Sequence, residues 1–370
     1  MRSAAARIAI LTTQLHGGGA EMVTRRWARE LTIRGYGATI CLLSSSHDDA
    51  SAWVPPGVAI RCQEPGERSV TKDVLWARAA CADADVVLCL LTYPNLIGLA
   101  ALGHSRRHRI VISERNVPSV LLPTEGMSGR TKLYAARLLY RHADGVIAIS
   151  HPVAADLAAT FRIREDRLWV VPNPVLDCAS DTGPTTTSSV RAAFVGRLMP
   201  EKAPERFVLM LKALRHRGLD ASGVVFGEGP LRPRLAAMIE QEGIDCVMRG
   251  WVEDWWTEDV TCVVLPSIVE GFGNVLIEAA AHGIPVVTPS QALGVGDAIL
   301  PGVTGVFALS GRPQHLADAV EMTASLSDLG WRGWYSSANS ASRLAGVIET
   351  VIHDDGMPSP IASRAEVARW

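Results

Sequence analysis

Short, almost continuously apolar runs recur through the first half of the chain, at Arg7–Thr13, Ala38–Leu43, Val86–Leu91, Arg109–Ser113, Gly145–Ile149 and Leu168–Val171. Runs of this length without polar alternation read as strands buried on both faces. Between them lie longer stretches with apolar residues at helical spacing, notably Met22–Arg34, Lys72–Cys81, Leu96–Gly103, Thr131–His142 and Pro152–Phe161. Strands alternating with helices predict a parallel sheet covered on both faces. The rhythm stops at Ala179–Ser189, a stretch rich in Thr, Ser, Gly and Asp that reads as a linker. It then resumes. Strands are expected at Arg191–Val195, Gly223–Phe226, Cys246–Met248, Val260–Leu265 and Ile284–Thr288, with a last short one after the turn Gly302–Gly305. Helices are expected at Pro204–Arg217, up to Glu242, at Val275–His282 and at Arg312–Ser325.

The expected fold class is therefore α/β, with two Rossmann-like domains facing across a cleft. The expected boundaries are 1–176 for the first domain, 177–189 for the linker, 190–350 for the second domain and 351–370 for a tail. The last helix is a candidate to cross back to the first domain. A chain of 370 residues accommodates two domains of ordinary size. Its formal net charge of −2 gives no bulk electrostatic case for nucleic acid. The seven cysteines make no C-x-x-C pair, and Cys41, Cys89, Cys246 and Cys262 fall in or beside apolar runs. Buried thiols in a reducing cytosol fit that pattern better than zinc or redox motifs. The N-terminus runs straight into a strand and lacks the apolar core of a signal peptide. No apolar run approaches the ~20 residues of a transmembrane helix. The expected location is cytoplasmic, with membrane contact at most peripheral at the inner face.

The most chemistry lies in Pro266–Ala281, where a short strand leads through a loop with Gly271 and Gly273 into a helix. Such a loop brings backbone N–H groups close to a ligand, and the helix start favours an anion. Glu270 lies in the loop and Glu278 about one turn into the helix, so one carboxylate can meet a sugar and the other a second hydroxylated part of the same ligand. Gly196-Arg197 ends an earlier strand and Lys202 follows five residues later, two cations suited to a diphosphate. Gly227-Glu228-Gly229 belongs to the same expected sheet edge. Cations, carboxylates and close-approach glycines together specify a nucleotide sugar. Asp83-Ala84-Asp85 matches a metal-binding D-x-D, but it precedes a buried strand, whereas ligand sites follow strands. It reads as the polar end of a helix–strand connection.

These residues carry a resemblance. Glu270 and Glu278 in E-x7-E spacing, Gly196-Arg197…Lys202, Gly227-Glu228-Gly229-Pro230, Val170-Val171-Pro172-Asn173-Pro174 and Gly17-Gly18-Gly19-Ala20-Glu21 stand in the order found in GT-B-fold retaining glycosyltransferases of family 4. The similarity runs from about Arg7 to Ser325. It implies transfer of a sugar from a nucleotide-diphosphate donor to an acceptor hydroxyl, with retention of anomeric configuration and without metal or cofactor. It assigns Arg197 and Lys202 to the donor diphosphate, Glu270 to the donor sugar and Glu278 to the ribose. Backbone at Phe272, Gly273, Asn274, Val275 and Leu276 would meet the sugar and distal phosphate. Gly17, Gly18 and Gly19 would close over the phosphates, and Gly196, Gly227, Glu228, Arg249 and Gly250 would complete the donor pocket.

Many family members carry an acceptor-side histidine where this chain has Leu91-Thr92-Tyr93-Pro94-Asn95. Thr92 and Glu114 stand as acceptor-side candidates in its place. Asp297 is a candidate sugar or acceptor contact, or a helix start. The stretch Arg130–Arg141 is basic and amphipathic, which in family members with lipid acceptors meets the membrane; the plainer reading packs its apolar face on the sheet. Partners implied are a nucleotide sugar and a saccharide, lipid-linked or small-molecule acceptor, in polysaccharide, glycolipid or natural-product synthesis. The rivals are a sugar-nucleotide epimerase of the same fold, which needs an acid/base pair not found in the sequence, and a non-catalytic nucleotide-sugar-binding subunit.

Overall fold

The computed structural model describes residues 6–15, 18–44, 50–64, 66, 69–103, 107–175, 189–326 and 337–352. Of these, the residues up to Pro174 and from Ser337 onward form one compact unit, and those from Val175 to 326 form the other.

The first unit holds seven strands: β1 (Arg7–Thr12), β2 (Gly37–Leu42), β3 (Ala59–Cys62), β4 (Val86–Leu90), β5 (Arg109–Glu114), β6 (Gly145–Ala148) and β7 (Leu168–Val170). They pair in the order β3-β2-β1-β4-β5-β6-β7, parallel throughout. Its described helices are α1 (Gly19–Ile33), α2 (Val70–Ala80), α3 (Thr92–Leu102), α4 (Pro118–Thr124), α5 (Gly126–Leu139) and α6 (His151–Phe161). Every residue of β4 is buried, as its unbroken apolar run requires.

The second unit holds β8 (Val190–Val195), β9 (Ala221–Phe226), β10 (Cys246–Gly250), β11 (Cys262–Val264), β12 (Val286–Pro289) and β13 (Gly305–Ala308). Their order is β10-β9-β8-β11-β12-β13, again all parallel. The helices are α7 (Pro204–His216), α8 (Arg232–Glu242), α9 (Asn274–Ala281) and α10 (Pro313–Thr323). Phe194, Phe207, Leu211, Val225, Val264 and Leu316 form its core, each worth roughly 1.5–3 kcal/mol when fully buried.

A final helix, α11 (Ser337–Ile352), returns to the first unit. Leu344, Val347, Ile348 and Val351 enter the core built around Ile8, Val23, Trp27, Val111 and Val171. The last helix of the 190–350 stretch, a candidate in the sequence to cross back to the first domain, therefore packs with the first sheet, and the second unit ends before it. The expected linker and the tail fall almost wholly outside the described residues.

In each sheet the strand order reverses once, between β1 and β4 and between β8 and β11. Crevices outside the carboxyl ends of such strands are where open parallel sheets hold ligands. In the second sheet the loops at that point carry Arg197 and Lys202 after β8, and Ser267 and Glu270 after β11. Asp83 and Asp85 lie at the opposite end, before β4: Asp83 takes both guanidinium nitrogens of Arg61 at 2.7 and 2.8 Å, and Asp85 accepts from the Arg7 backbone N–H at 2.8 Å. Both aspartates are structural there, and ion pairing pulls Asp83 down to about 2.

Candidate active site

The loop after β11 is built around a buried carboxylate. Glu270 is 4% exposed and Ser267 fully buried. The Ser267 hydroxyl donates to Glu270 Oε1 at 2.6 Å, and the Lys202 ammonium reaches the same oxygen at 2.5 Å. Two local devices bring Lys202 there. The turn Pro200–Lys202 is pinned to the loop by the Ile268 N–H, which donates to the Glu201 carbonyl at 2.8 Å. Ala203 then takes a left-handed conformation (φ 47°, ψ 51°) that redirects the chain into α7. On the other side the Glu270 backbone pairs with Ala292 and Gly294, N–H to carbonyl at 2.9 and 3.0 Å. Leu293 between them sits at φ 53°, ψ −80°, a strained region for a branched side chain.

Gly273, at φ +82°, turns the chain into α9. No side chain tolerates that conformation as cheaply. Asn274 and Val275 open the helix, half-buried, while Phe272 and Leu276 point into the core. The positive end of α9 thus follows Glu270 by one short loop. Further along, Glu278 is half-buried, and the indole N–H of Trp255 donates to its Oε2 at 3.3 Å.

Arg197 does not join the Lys202 group. Its side chain is 61% exposed and lies 3.7 Å from Glu201. Its loop runs beside the one after β9: Gly196 N–H donates to Phe226 carbonyl and Leu198 N–H to Glu228 carbonyl, each at 2.9 Å. Gly227 is held at the crossing, where a Cβ would come within 1.9 Å of the Gly196 carbonyl oxygen. Its own N–H donates to the Gly250 carbonyl at 2.6 Å. The Glu228 side chain is exposed and pairs with Arg232 at 3.1 Å; Arg249 pairs with Glu258 at 3.6 Å. Asp297 ends a short turn begun at Gly294.

In the first unit, Gly18 is the extended N-cap of α1 and Gly19 its first residue, so the glycine stretch leads straight into helix; Gly17 lies outside the described residues. Leu91, at φ 79°, ψ 153°, closes β4 and presents Thr92 as the first residue of α3. The Thr92 hydroxyl donates to Glu114 Oε2 at 3.2 Å, and Asn95 Nδ2 donates to Oε1 at 3.1 Å. The Tyr140 hydroxyl also donates to Oε1. Glu114 is 1% exposed, so within the described unit it contacts Thr92 rather than solvent. Burial pushes its carboxyl up to about 7 against these hydrogen bonds.

Sequence reasoning missed Ser267 and Trp255. Ser267 sits in the loop after β11, three residues before Glu270, a place from which a hydroxyl can reach the carboxylate. Trp255 carries no spacing signal, since its contact to Glu278 depends on how the turn after β10 folds.

Two parallel-sheet α/β units, each with a single reversal of strand order, are the GT-B architecture. Residues 17–176 match the family described as Glycosyltransferase Family 4, and residues 189–325 match Glycosyl transferases group 1. Together the two matches span most of the chain, a glycosyltransferase built from these two family domains. It is 24% identical, over 78% of its length and 82% of the relative's, to the N-acetylgalactosamine-N,N'-diacetylbacillosaminyl-diphospho-undecaprenol 4-alpha-N-acetylgalactosaminyltransferase of Campylobacter jejuni. It is 32% identical to the alpha-D-kanosaminyltransferase of Streptomyces kanamyceticus over 35% of this chain and 34% of that one. Among solved structures, Anabaena Alr3699/HepE in complex with UDP and glucose matches with a TM-score of 0.75 at 18% identity, over 93% of this chain and 100% of that one. WaaG, a glycosyltransferase involved in lipopolysaccharide biosynthesis, matches at 0.67 and 15%, over 94% and 96%. At those identities the likeness is one of fold.

Proposed function

We propose that this glycosyltransferase takes its sugar from a nucleoside-diphosphate donor held by the second unit and transfers it to an acceptor hydroxyl with retention of configuration and without a metal ion. The observation that carries the reading is the Lys202–Glu270–Ser267 cluster at the point where the second sheet reverses its strand order. As the glycosidic bond breaks, negative charge grows on the departing diphosphate and positive charge on the sugar ring. A fixed ammonium for the first and a fixed carboxylate for the second are the preorganisation such a transition state needs. Lys202 and the positive end of α9 supply the charge that a divalent ion would otherwise bring, with Arg197 joining from its exposed position. Glu278, downstream on α9, takes the ribose. The HepE structure, with UDP and glucose bound, is a precedent of the same fold.

Glu270→Gln keeps the shape and a hydrogen-bonding oxygen while removing the charge. It should lower transfer by roughly 10²–10³, by analogy with oxyanion donors, without weakening nucleoside diphosphate binding. Lys202→Ala should weaken UDP or GDP far more than the free nucleoside. Unchanged turnover in the first variant, or equal losses of nucleotide and nucleoside in the second, would sink the reading. Product analysis by NMR reports the anomer, and assay with EDTA reports metal dependence.

The acceptor side is assigned to the first unit, at Thr92. A lipid-linked acceptor, as the name of the Campylobacter relative describes, places the enzyme at a membrane surface. No helix among the described residues is long and apolar enough to cross a membrane, so contact would be peripheral. Helix α5 suits it: Met127, Tyr134 and Leu138 are 74%, 67% and 43% exposed, with Arg130 and Arg137 exposed among them.

A further inference from the structure

Glu278 lies on α9 and His282, four residues on, is the residue that caps the helix at its C-terminal end. Both face a single turn of 3-10 helix, Trp255–Thr257, which follows β10. Trp255 donates its indole N–H to Glu278 Oε2 at 3.3 Å. Trp256 stacks on His282 with ring centroids 4.6 Å apart and planes 8° from parallel. Trp255 itself is only 2% exposed and packs against Phe226, centroids 6.4 Å apart, and edge-on against Trp256 at 5.8 Å. Phe226 is the last residue of β9, immediately before Gly227.

An indole has one donor and no acceptor, so a ring held on two sides aims its N–H at one place. Were the Glu278 carboxylate to rotate away, that donor would lose its partner in a buried position. The sheet edge at Phe226 is thereby connected to the carboxylate through a rigid ring. A hydrogen bond to one oxygen restricts the rotation of the carboxylate and favours one orientation of its plane. Recognition of two neighbouring hydroxyls on a ribose depends on that plane, because each hydroxyl must find an oxygen at hydrogen-bond distance in the correct direction.

We propose that Trp255 is a positioning residue for the nucleoside end of the donor, its indole N–H orienting Glu278 so that the enzyme selects ribose over deoxyribose. The proposal rests on the reading of Glu278 as the ribose-binding group. Trp255 acts through Glu278 and need not touch the nucleotide.

The test measures Kd for UDP, GDP and ADP and for their 2′-deoxy counterparts on the full chain, and follows the nucleotide that binds wild type best. The readout is the ratio of deoxy to ribo Kd. Glu278→Ala should bring the ratio to about one. Trp255→Phe, which keeps an aromatic ring without the donor, should lower it at least about threefold, and should cause no further drop in the Glu278→Ala background. Trp256→Phe, which leaves the indole–carboxylate bond in place, should stay within about twofold of wild type. Trp255→Met replaces the Phe variant if that variant does not fold. If Glu278→Ala leaves the ratio unchanged, or no nucleotide binds, the ribose reading falls and the proposal with it. If Glu278→Ala collapses the ratio while Trp255→Phe keeps it, the proposal alone is overturned. Loss of thermal stability with an unchanged ratio would likewise assign Trp255 a purely structural role.

Discussion

Glu270 shares its Oε1 between an ammonium and a hydroxyl, so in the absence of donor Lys202 already has a counter-ion. A diphosphate entering this site competes for Lys202 rather than meeting an unpaired charge. Either Glu270→Gln or Glu270→Ala leaves the Lys202 ammonium without its counter-ion; Glu270→Gln is the cleaner probe because it leaves no cavity and keeps an oxygen that can accept from the Ser267 hydroxyl. The pairing was legible in the sequence as two residue types suited to the two ends of a sugar–diphosphate bond. Their direct contact was not, because it depends on the left-handed Ala203 and on the Ile268–Glu201 hydrogen bond. Glu114 was legible only as an acceptor-side candidate. Its environment says more. It is enclosed by Thr92, Asn95 and Tyr140, with Arg115 next in the chain stacked over Trp27. Its folded carboxyl titrates at about 7 against an ordinary 4.5, with burial as the main cause. A carboxyl raised in the folded state keeps a proton that the unfolded chain has lost. Its contribution to stability is therefore fully present below about 4.5 and is lost as the pH climbs through about 7. The loss is on the order of 3 kcal/mol at ~1.4 kcal/mol per unit. Glu114→Gln should flatten this part of the profile. Urea unfolding at about pH 5 and about pH 8 measures it, and an equally steep dependence in the variant would reassign the titration.

Among the elements, buried strands were the most legible, since a strand covered on both faces has to be apolar throughout. The edge strand β3 was missed because Ala59 is exposed and the rest only half-buried, which gives no clear period. Helix α4 carries Pro118 at its start and Pro123 inside, signals that normally punctuate rather than form a helix. Helix α5 was foreseen, but its plainer reading, an apolar face packed inward and a basic face in water, accounts for only part of it. Ala136 and Gly129 are buried, whereas Met127, Tyr134 and Leu138 stand out in solvent beside Arg130 and Arg137. Such a face suits an interface where aromatic and aliphatic groups enter the headgroup layer and arginines meet anionic lipids. Each arginine near such a surface is worth about 1 kcal/mol. Replacing Arg130 and Arg137 by Glu should reduce co-sedimentation with phosphatidylglycerol-containing vesicles by well over about tenfold. Transfer to a soluble acceptor should be unaffected. Equal binding of wild type to anionic and to purely zwitterionic vesicles would remove the basis for a membrane role.

At the scale of the whole molecule, the sequence suggested two domains with a last helix that was a candidate to return to the first, and α11 does return, which makes the first unit discontinuous. The helical stripe Ala341, Leu344, Ala345, Ile348 was present to be read, but nothing local tells such a stripe which sheet it will cover. The structure ties it to the place where the chain leaves the unit. Trp27 Nε1–H donates to the Ser340 hydroxyl at 3.0 Å, and that hydroxyl donates to the Pro172 carbonyl. Arg115 donates to Asn173 Oδ1 at 2.8 Å, and Arg26 to the Pro174 carbonyl. The departing and returning segments are thus fastened to each other and to α1. Stability of the first unit should depend on residues more than 300 positions away in the chain, such as the |i−j| = 313 pair of Trp27 and Ser340. Leu344 is fully buried in that shared core. Leu344→Ala should cost about 2–5 kcal/mol, the range for a core leucine truncated to alanine, and the cost should fall on the first unit alone. Thermal unfolding should then separate into two transitions, the lower one from the first unit. Addition of the preferred nucleoside diphosphate should raise only the upper transition, because the residues assigned to the diphosphate and ribose, Lys202 and Glu278, belong to the second unit. A single transition shifted as a whole, with the nucleotide raising all of it, would mean that the two units unfold together and that α11 stabilises both.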